Sequence, residues 1–235
     1  MKNLKNYVKN HIKYSLNESY LNESVWDIED NVESDNKELM LDSVKKFIED
    51  NYKKVDLNHL TFVFDKEKEK YIVSSKGDLT LVNGAKSLVN DLFEWDTVKG
   101  WFDCSYCPIT TLEGSPKEVG GWFDCTFCQN LESLKGAPEY VGGEFDCYNC
   151  PKLTSLEGAP REVGVFNCNG CAITSLQGSP NKIKGDFFCS KCSELKSLKG
   201  APKEVKGNFY CPGCPKLSSL DGIGKVKGEI ISDIK

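Results

Sequence analysis

The sequence predicts a repeat solenoid of short parallel strands with an α/β segment at its N-terminal end. Two observations carry the array. Six Cys-x-x-Cys pairs, Cys104/Cys107, Cys125/Cys128, Cys147/Cys150, Cys168/Cys171, Cys189/Cys192 and Cys211/Cys214, recur every 21 or 22 residues and use all twelve cysteines of the 235-residue chain. Each pair also sits in the same phrase, V-x-G-x-F-x-C-x-x-C-x-(x)-L-x-S-L-x-G-x-P. A fixed period of this length is the mark of stacked units, none of which can bury its own apolar face. A third observation sets the N-terminal segment apart: before about residue 70 the period is absent and the chain is rich in Lys, Asn and Glu. Residues 1–70 are therefore expected to form a helical and β-hairpin capping domain, and residues 71–235 the solenoid.

Within the first segment, Leu4, Tyr7, Val8, Ile12 and Leu16 make one apolar stripe at helical spacing. Leu39, Leu41, Val44, Phe47, Ile48 and Tyr52 make a second. The duplicated stretch Ser15–Ser24 between them reads as turn or frayed helix. Residues 60–65 and 71–74 alternate like strands, and the charged run Lys66–Lys70 joins them as a hairpin-like turn without a two-residue turn signal.

In the array, one optional residue explains the two unit lengths. Ile109 and Ile173 follow the second cysteine at +2; Leu131, Leu153, Leu195 and Leu217 follow it at +3. Leu79 and Leu81 match the Phe and first-Cys slots, as do Ile230 and Ser232, which adds a partial unit at each end of six full ones.

With Phe and the first Cys pointing inward, the second Cys at the turn and Ile or Leu next, the phrase resembles a leucine-rich repeat. Thr154–Gly164 followed by Phe166-Asn-Cys168 is similar to repeat proteins encoded by tailed bacteriophages, which favour Asn where all six units here carry the second Cys. The resemblance covers about residues 71–232. It implies a leucine-rich-repeat-like solenoid with short parallel strands on its concave face. It also implies action in the host bacterial cytoplasm or in a virion.

Several function classes have little support. A net charge of −5 leaves no electrostatic footprint for nucleic acid. No apolar stretch approaches the ~20 residues that span a bilayer, and the lysine-bearing N-terminus lacks the apolar core of a secretory signal. Twelve cysteines in such a chain are expected to be reduced. His11 and His59 both lie outside the repeats, and no Gly-rich phosphate loop is present. The protein is therefore expected to be non-enzymatic and to use no cofactor.

Cys-x-x-Cys is good zinc-ligand spacing, and adjacent units could together supply four thiolates. Strands in a stack lie only about 4.8 Å apart, so every pair would have to bend toward a shared metal while Phe and Leu beside it stay packed. A core ladder of small apolar side chains needs no ion. Zinc-stabilised structure is the alternative reading.

Strand side chains alternate, so the neighbours of the inward Phe point outward. The position before Phe carries Trp101, Trp122 and Glu144 in the first three units; the position after it carries Asp103, Asp124 and Asp146. Tyr106, Phe127 and Tyr148 follow near the turn, the last one residue earlier in register. Two carboxylates about 5 Å apart repel by about 1 kcal/mol in water and about 3 at an effective dielectric of 20. Such a column invites a counter-charge. Calcium suits it less, because the carboxylates come from a flat sheet rather than a wrapping loop. These nine residues, on the concave face, are the expected contact surface for a Lys- or Arg-bearing protein partner, with the aromatics as anchors and cation–π faces. An inhibitor of a host defence enzyme would use the same surface. Charge is also polarised: residues 96–170 hold 5 basic and 11 acidic side chains, residues 171–235 hold 11 and 6.

Overall fold

The computed structural model describes residues 31–53, 55–81, 85 and 87–234. The predicted first stripe and the duplicated stretch lie outside these residues. The array is a mostly parallel β-solenoid of about seven turns with little helix.

The second stripe forms helix α1 (Asn31–Asn51). Met40, Val44 and Ile48, at helical spacing, are buried along one side, and Tyr52 continues that side just past the helix end. The predicted hairpin is strands β1 (Leu60–Asp65) and β2 (Lys70–Ser75), paired antiparallel. Its turn is held by Asp65, whose carboxylate accepts from the backbone N–H groups of Glu67 (2.9 Å) and Lys68 (3.1 Å). Glu69 closes it at φ 52°. A side-chain bond thus does what the absent Asn-Gly signal would have done.

From β2 onward the chain winds with two strands per turn, and these make two parallel ladders. One ladder holds β2 and the strands carrying the repeated Val: β4 (Phe93–Val98), β6 (Glu118–Val119), β8 (Tyr140–Asp146), β9 (Glu162–Asn167), β10 (Lys182–Ile183), β12 (Glu204–Val205) and β14 (Lys225–Val226). The other holds the Phe strands β3 (Leu79–Thr80), β5 (Phe102–Asp103), β7 (Phe123–Asp124), β11 (Phe187–Phe188), β13 (Phe209–Tyr210) and β15 (Ile230–Ile231). β8 and β9 run through the corner and belong to both. The resemblance implies one set of strands; the second ladder is an addition to it. Four of its members, β6, β10, β12 and β14, are two residues long, too short for alternation to register.

The interior is a set of columns, one side chain per turn. Phe102, Phe123, Phe145, Phe166, Phe187 and Phe209 stack face to face at 5.0–5.6 Å with planes 4–17° apart. Both cysteines of every pair are buried, as are the repeated Leu or Ile after them and, from β4 to β12, the Val or Ile of the other ladder. Each buried Phe contributes about 1.5–3 kcal/mol. Sharp reversals need particular backbones: Gly136 sits at φ 85°, the left-handed region that glycine enters without strain.

Leu79 and Leu81 lie inward and buried, as the partial first unit predicts. Ile230 pairs in register with Phe209 but stays 43% exposed, because no described strand lies beyond β15. At the other end Tyr52 packs edge-on against Trp95 (5.4 Å) and Phe102 (6.3 Å), and its hydroxyl accepts from the Trp95 indole at 2.8 Å. α1 and the array share one continuous apolar core. No described helix is long and apolar enough to cross a membrane.

Candidate functional site

The thiols show what cysteine does in the turn slot. In five units the second cysteine donates its S–H to the carbonyl of the first cysteine one turn back. The pairs are Cys128 to Cys104, Cys150 to Cys125, Cys171 to Cys147, Cys192 to Cys168 and Cys214 to Cys189, at 3.1–3.3 Å. An Asn amide would donate to backbone from such a slot; the thiol does so while remaining a small apolar side chain. The first cysteines of three units, Cys125, Cys147 and Cys168, donate forward to Asp146, Asn167 and Phe188 carbonyls at 3.2–3.3 Å. Burial holds Cys104, Cys125 and Cys189 well above the ordinary thiol range and pushes Cys168 up to about 12. These are protonated core groups, unsuited to attack as thiolates. Among the described residues no three His, Cys, Asp or Glu side chains are grouped to hold a metal ion.

The nine predicted contact residues lie on the outward side of the Phe ladder and the turn after it. Trp101 and Trp122 are stacked at 6.2 Å with planes 23° apart, and they remain 46% and 61% exposed. Tyr106 and Phe127 stack at 4.9 Å and 7°, and Tyr148 meets Phe127 edge-on at 5.2 Å. The rings therefore cover one another in part. What stays open is ring edges and the outer faces of each stack, rather than fully open ring faces. Gly143 seats Trp122: a Cβ there would collide with the indole.

Between the two aromatic columns run the acids, in register as Asp103, Asp124 and Asp146 on adjacent strands. Each has a local structural role that sequence reasoning missed. Their Oδ1 atoms accept from the backbone N–H two residues on, from Ser105 (2.9 Å), Thr126 (2.8 Å) and Tyr148 (2.8 Å). Asn167 continues the column with the same bond from Asn169 at 3.1 Å. The carboxylates are half-buried. Burial pushes Asp146 up to about 6, with Glu144 and Asp124 adding repulsion. Burial also raises Glu144, with Asp124 opposing its charge, and raises Asp124.

Other turns show what the fold itself favours at these slots. Before the Phe position, Asp78, Asp186 and Asn208 tie one turn to the next. Their side-chain oxygens accept from the backbone N–H of Trp101 (3.0 Å), Asn208 (2.6 Å) and Glu229 (2.8 Å). Tryptophan has no acceptor and cannot make that tie. At the turn, one residue per unit is left-handed: Tyr106 (57°), Phe127 (57°), Asn149 (55°), Gly170 (72°), Lys191 (57°) and Gly213 (74°). Asn and Gly suit this conformation; an aromatic there is strained by about 1 kcal/mol or more. Val165 also lacks an acceptor and Lys191 also sits left-handed, but the first two full units forgo the tie and carry the strain together, each time with an aromatic side chain. Compared with protein-family models, with curated proteins and with solved structures, the chain matches none of them, so the character of this face rests on its own residues.

Proposed function

We propose that the protein is a non-enzymatic interaction module that captures a Lys- or Arg-bearing protein partner on the outward face of β5, β7 and β8. The observation that carries this reading is the paired departure at Trp101/Trp122 and Tyr106/Phe127. Local choices that weaken a fold cluster where function requires them. Here they frame a half-buried acid column, and a basic side chain would relieve the mutual repulsion of those acids. In this reading the array is a leucine-rich-repeat-like solenoid, and α1 with the hairpin is its N-terminal cap. The phage-like repeat wording supports a bacteriophage protein acting in the host cytoplasm or in the virion.

The test is capture from host lysate with mass spectrometry, comparing the unaltered protein with Trp122→Ala/Asp124→Asn. Asn keeps the turn bond, as Asn167 does, so circular dichroism should be unchanged while a captured protein is lost. Identical capture by both proteins removes this face from consideration. The identity of the captured protein separates a host defence enzyme from a virion component.

A further inference from the structure

The aromatic and acidic columns exchange places farther along the same face. At β5 and β7 the residue before Phe is aromatic and the residue after it is acidic. At β11 and β13 the residues before are Asp186 and Asn208, and the residues after are Phe188 and Tyr210. Phe188 and Tyr210 stack at 4.6 Å and 12°, half-buried, and the Tyr210 hydroxyl accepts from the Asn208 amide at 3.0 Å. They occupy the slot in which Asp103, Asp124, Asp146 and Asn167 close the turn with a side-chain bond, a bond Phe188 cannot make. A second aromatic platform therefore replaces a structural group on the same side of the ladder.

Between the platforms lie β8 and β9, whose outward side chains, Glu144, Asp146, Val165 and Asn167, are all partly buried and shorter than the rings at either end. From β5 to β13 there are five strand intervals, about 24 Å at ~4.8 Å each, the reach of about seven extended residues. We propose that this face is one continuous track for an extended peptide segment. The segment's Lys or Arg side chains lie over Asp124, Glu144 and Asp146, and an apolar side chain is seated on Phe188 and Tyr210. The inference rests on the acid column as the site of a basic partner and adds the segment's form, length and second anchor. Carboxylates at the centre select the basic residues by charge; the Phe188–Tyr210 pair selects the apolar end.

Two fluorescein-labelled peptides test it by anisotropy: tetralysine, and tetralysine extended by Gly-Ser-Gly-Leu-Leu. Joining two weak contacts raises affinity through effective concentration. The longer peptide should bind the unaltered protein about tenfold tighter, and that advantage should vanish in Phe188→Asn/Tyr210→Asn. Asn copies the residue at position 167, so this variant retains the turn, with circular dichroism as the control for folding. Trp122→Ala/Asp124→Asn should weaken both peptides. If the extension adds nothing, or its gain survives at Phe188→Asn/Tyr210→Asn, the track is wrong, while weaker tetralysine binding by Trp122→Ala/Asp124→Asn would leave the acid-column reading standing. Equal binding of tetralysine by that variant and the unaltered protein, or no binding of either peptide, overturns both.

Discussion

Replacing Asp146 by Asn should stabilise the protein at neutral pH and leave it unchanged in acid. Burial raises the Asp146 carboxyl from 3.8 to about 6. Between those values the folded chain binds more protons at this group than the unfolded chain does. Its contribution is therefore full below about pH 4 and is lost as pH rises through about 6. Two pKa units correspond to about 3 kcal/mol, and partial exposure screens this to about 1.5. Asn removes the ionisation and keeps the turn, since Asn167 accepts the equivalent bond one strand later. Urea unfolding should place Asp146→Asn about 1.5 kcal/mol above the unaltered protein at pH 7.5, with the gap closing by pH 4. Asp146→Ala should lose about 1 kcal/mol even at pH 4, because the Tyr148 N–H loses its acceptor. A gap between Asp146→Asn and the unaltered protein that is absent at pH 7.5, or that persists undiminished to pH 4, would refute the reasoning.

Two further outcomes follow from the same geometry. Phe127→Asn, which copies Asn149 in the left-handed slot, relieves about 1 kcal/mol of strain and loses a stacking contact of similar size. Its unfolding midpoint should stay within about 0.5 kcal/mol of the unaltered protein while tetralysine binding weakens; a large stability loss would mean that the aromatic serves the fold. A thiol reagent added to native protein should find the cysteines of the first five pairs nearly inert, with Cys211 and Cys214, beside the open last turn, reacting first. Rapid reaction of Cys147 or Cys168 would contradict their burial.

The inward columns were readable from sequence because a strict period repeats each of them six times. The Phe, Cys and Leu positions need no more than register, and register survives the optional residue. The second ladder was not readable, since Glu118–Val119 and its equivalents in β10, β12 and β14 are two residues long and carry no alternation. The nine surface residues follow from alternation, but two of their properties do not. The turn-closing role of Asp103, Asp124 and Asp146 depends on the backbone bend after the first cysteine. The strain at Tyr106 and Phe127 depends on φ. A signal for the strain was present all the same: Asn149, Gly170 and Gly213 occupy the same slot and mark it as left-handed. Phe188 and Tyr210 carried a comparable signal, as aromatics in a column that Asp and Asn hold in the four preceding full units.

The backward-reaching thiol has a consequence for how such a chain can change length. Five of the second cysteines, from Cys128 to Cys214, find their nearest acceptor on the preceding coil, at 3.1–3.3 Å, while carbonyls of their own coil lie at 3.7–4.0 Å from three of them. A cassette of 21 or 22 residues spliced between any two coils would bring its own donor and offer its own acceptor, and both junctions would be chemically indistinguishable from those already present. Cassettes could be gained or lost by unequal recombination without repair elsewhere, and the surface they carry would lengthen or shorten one step at a time.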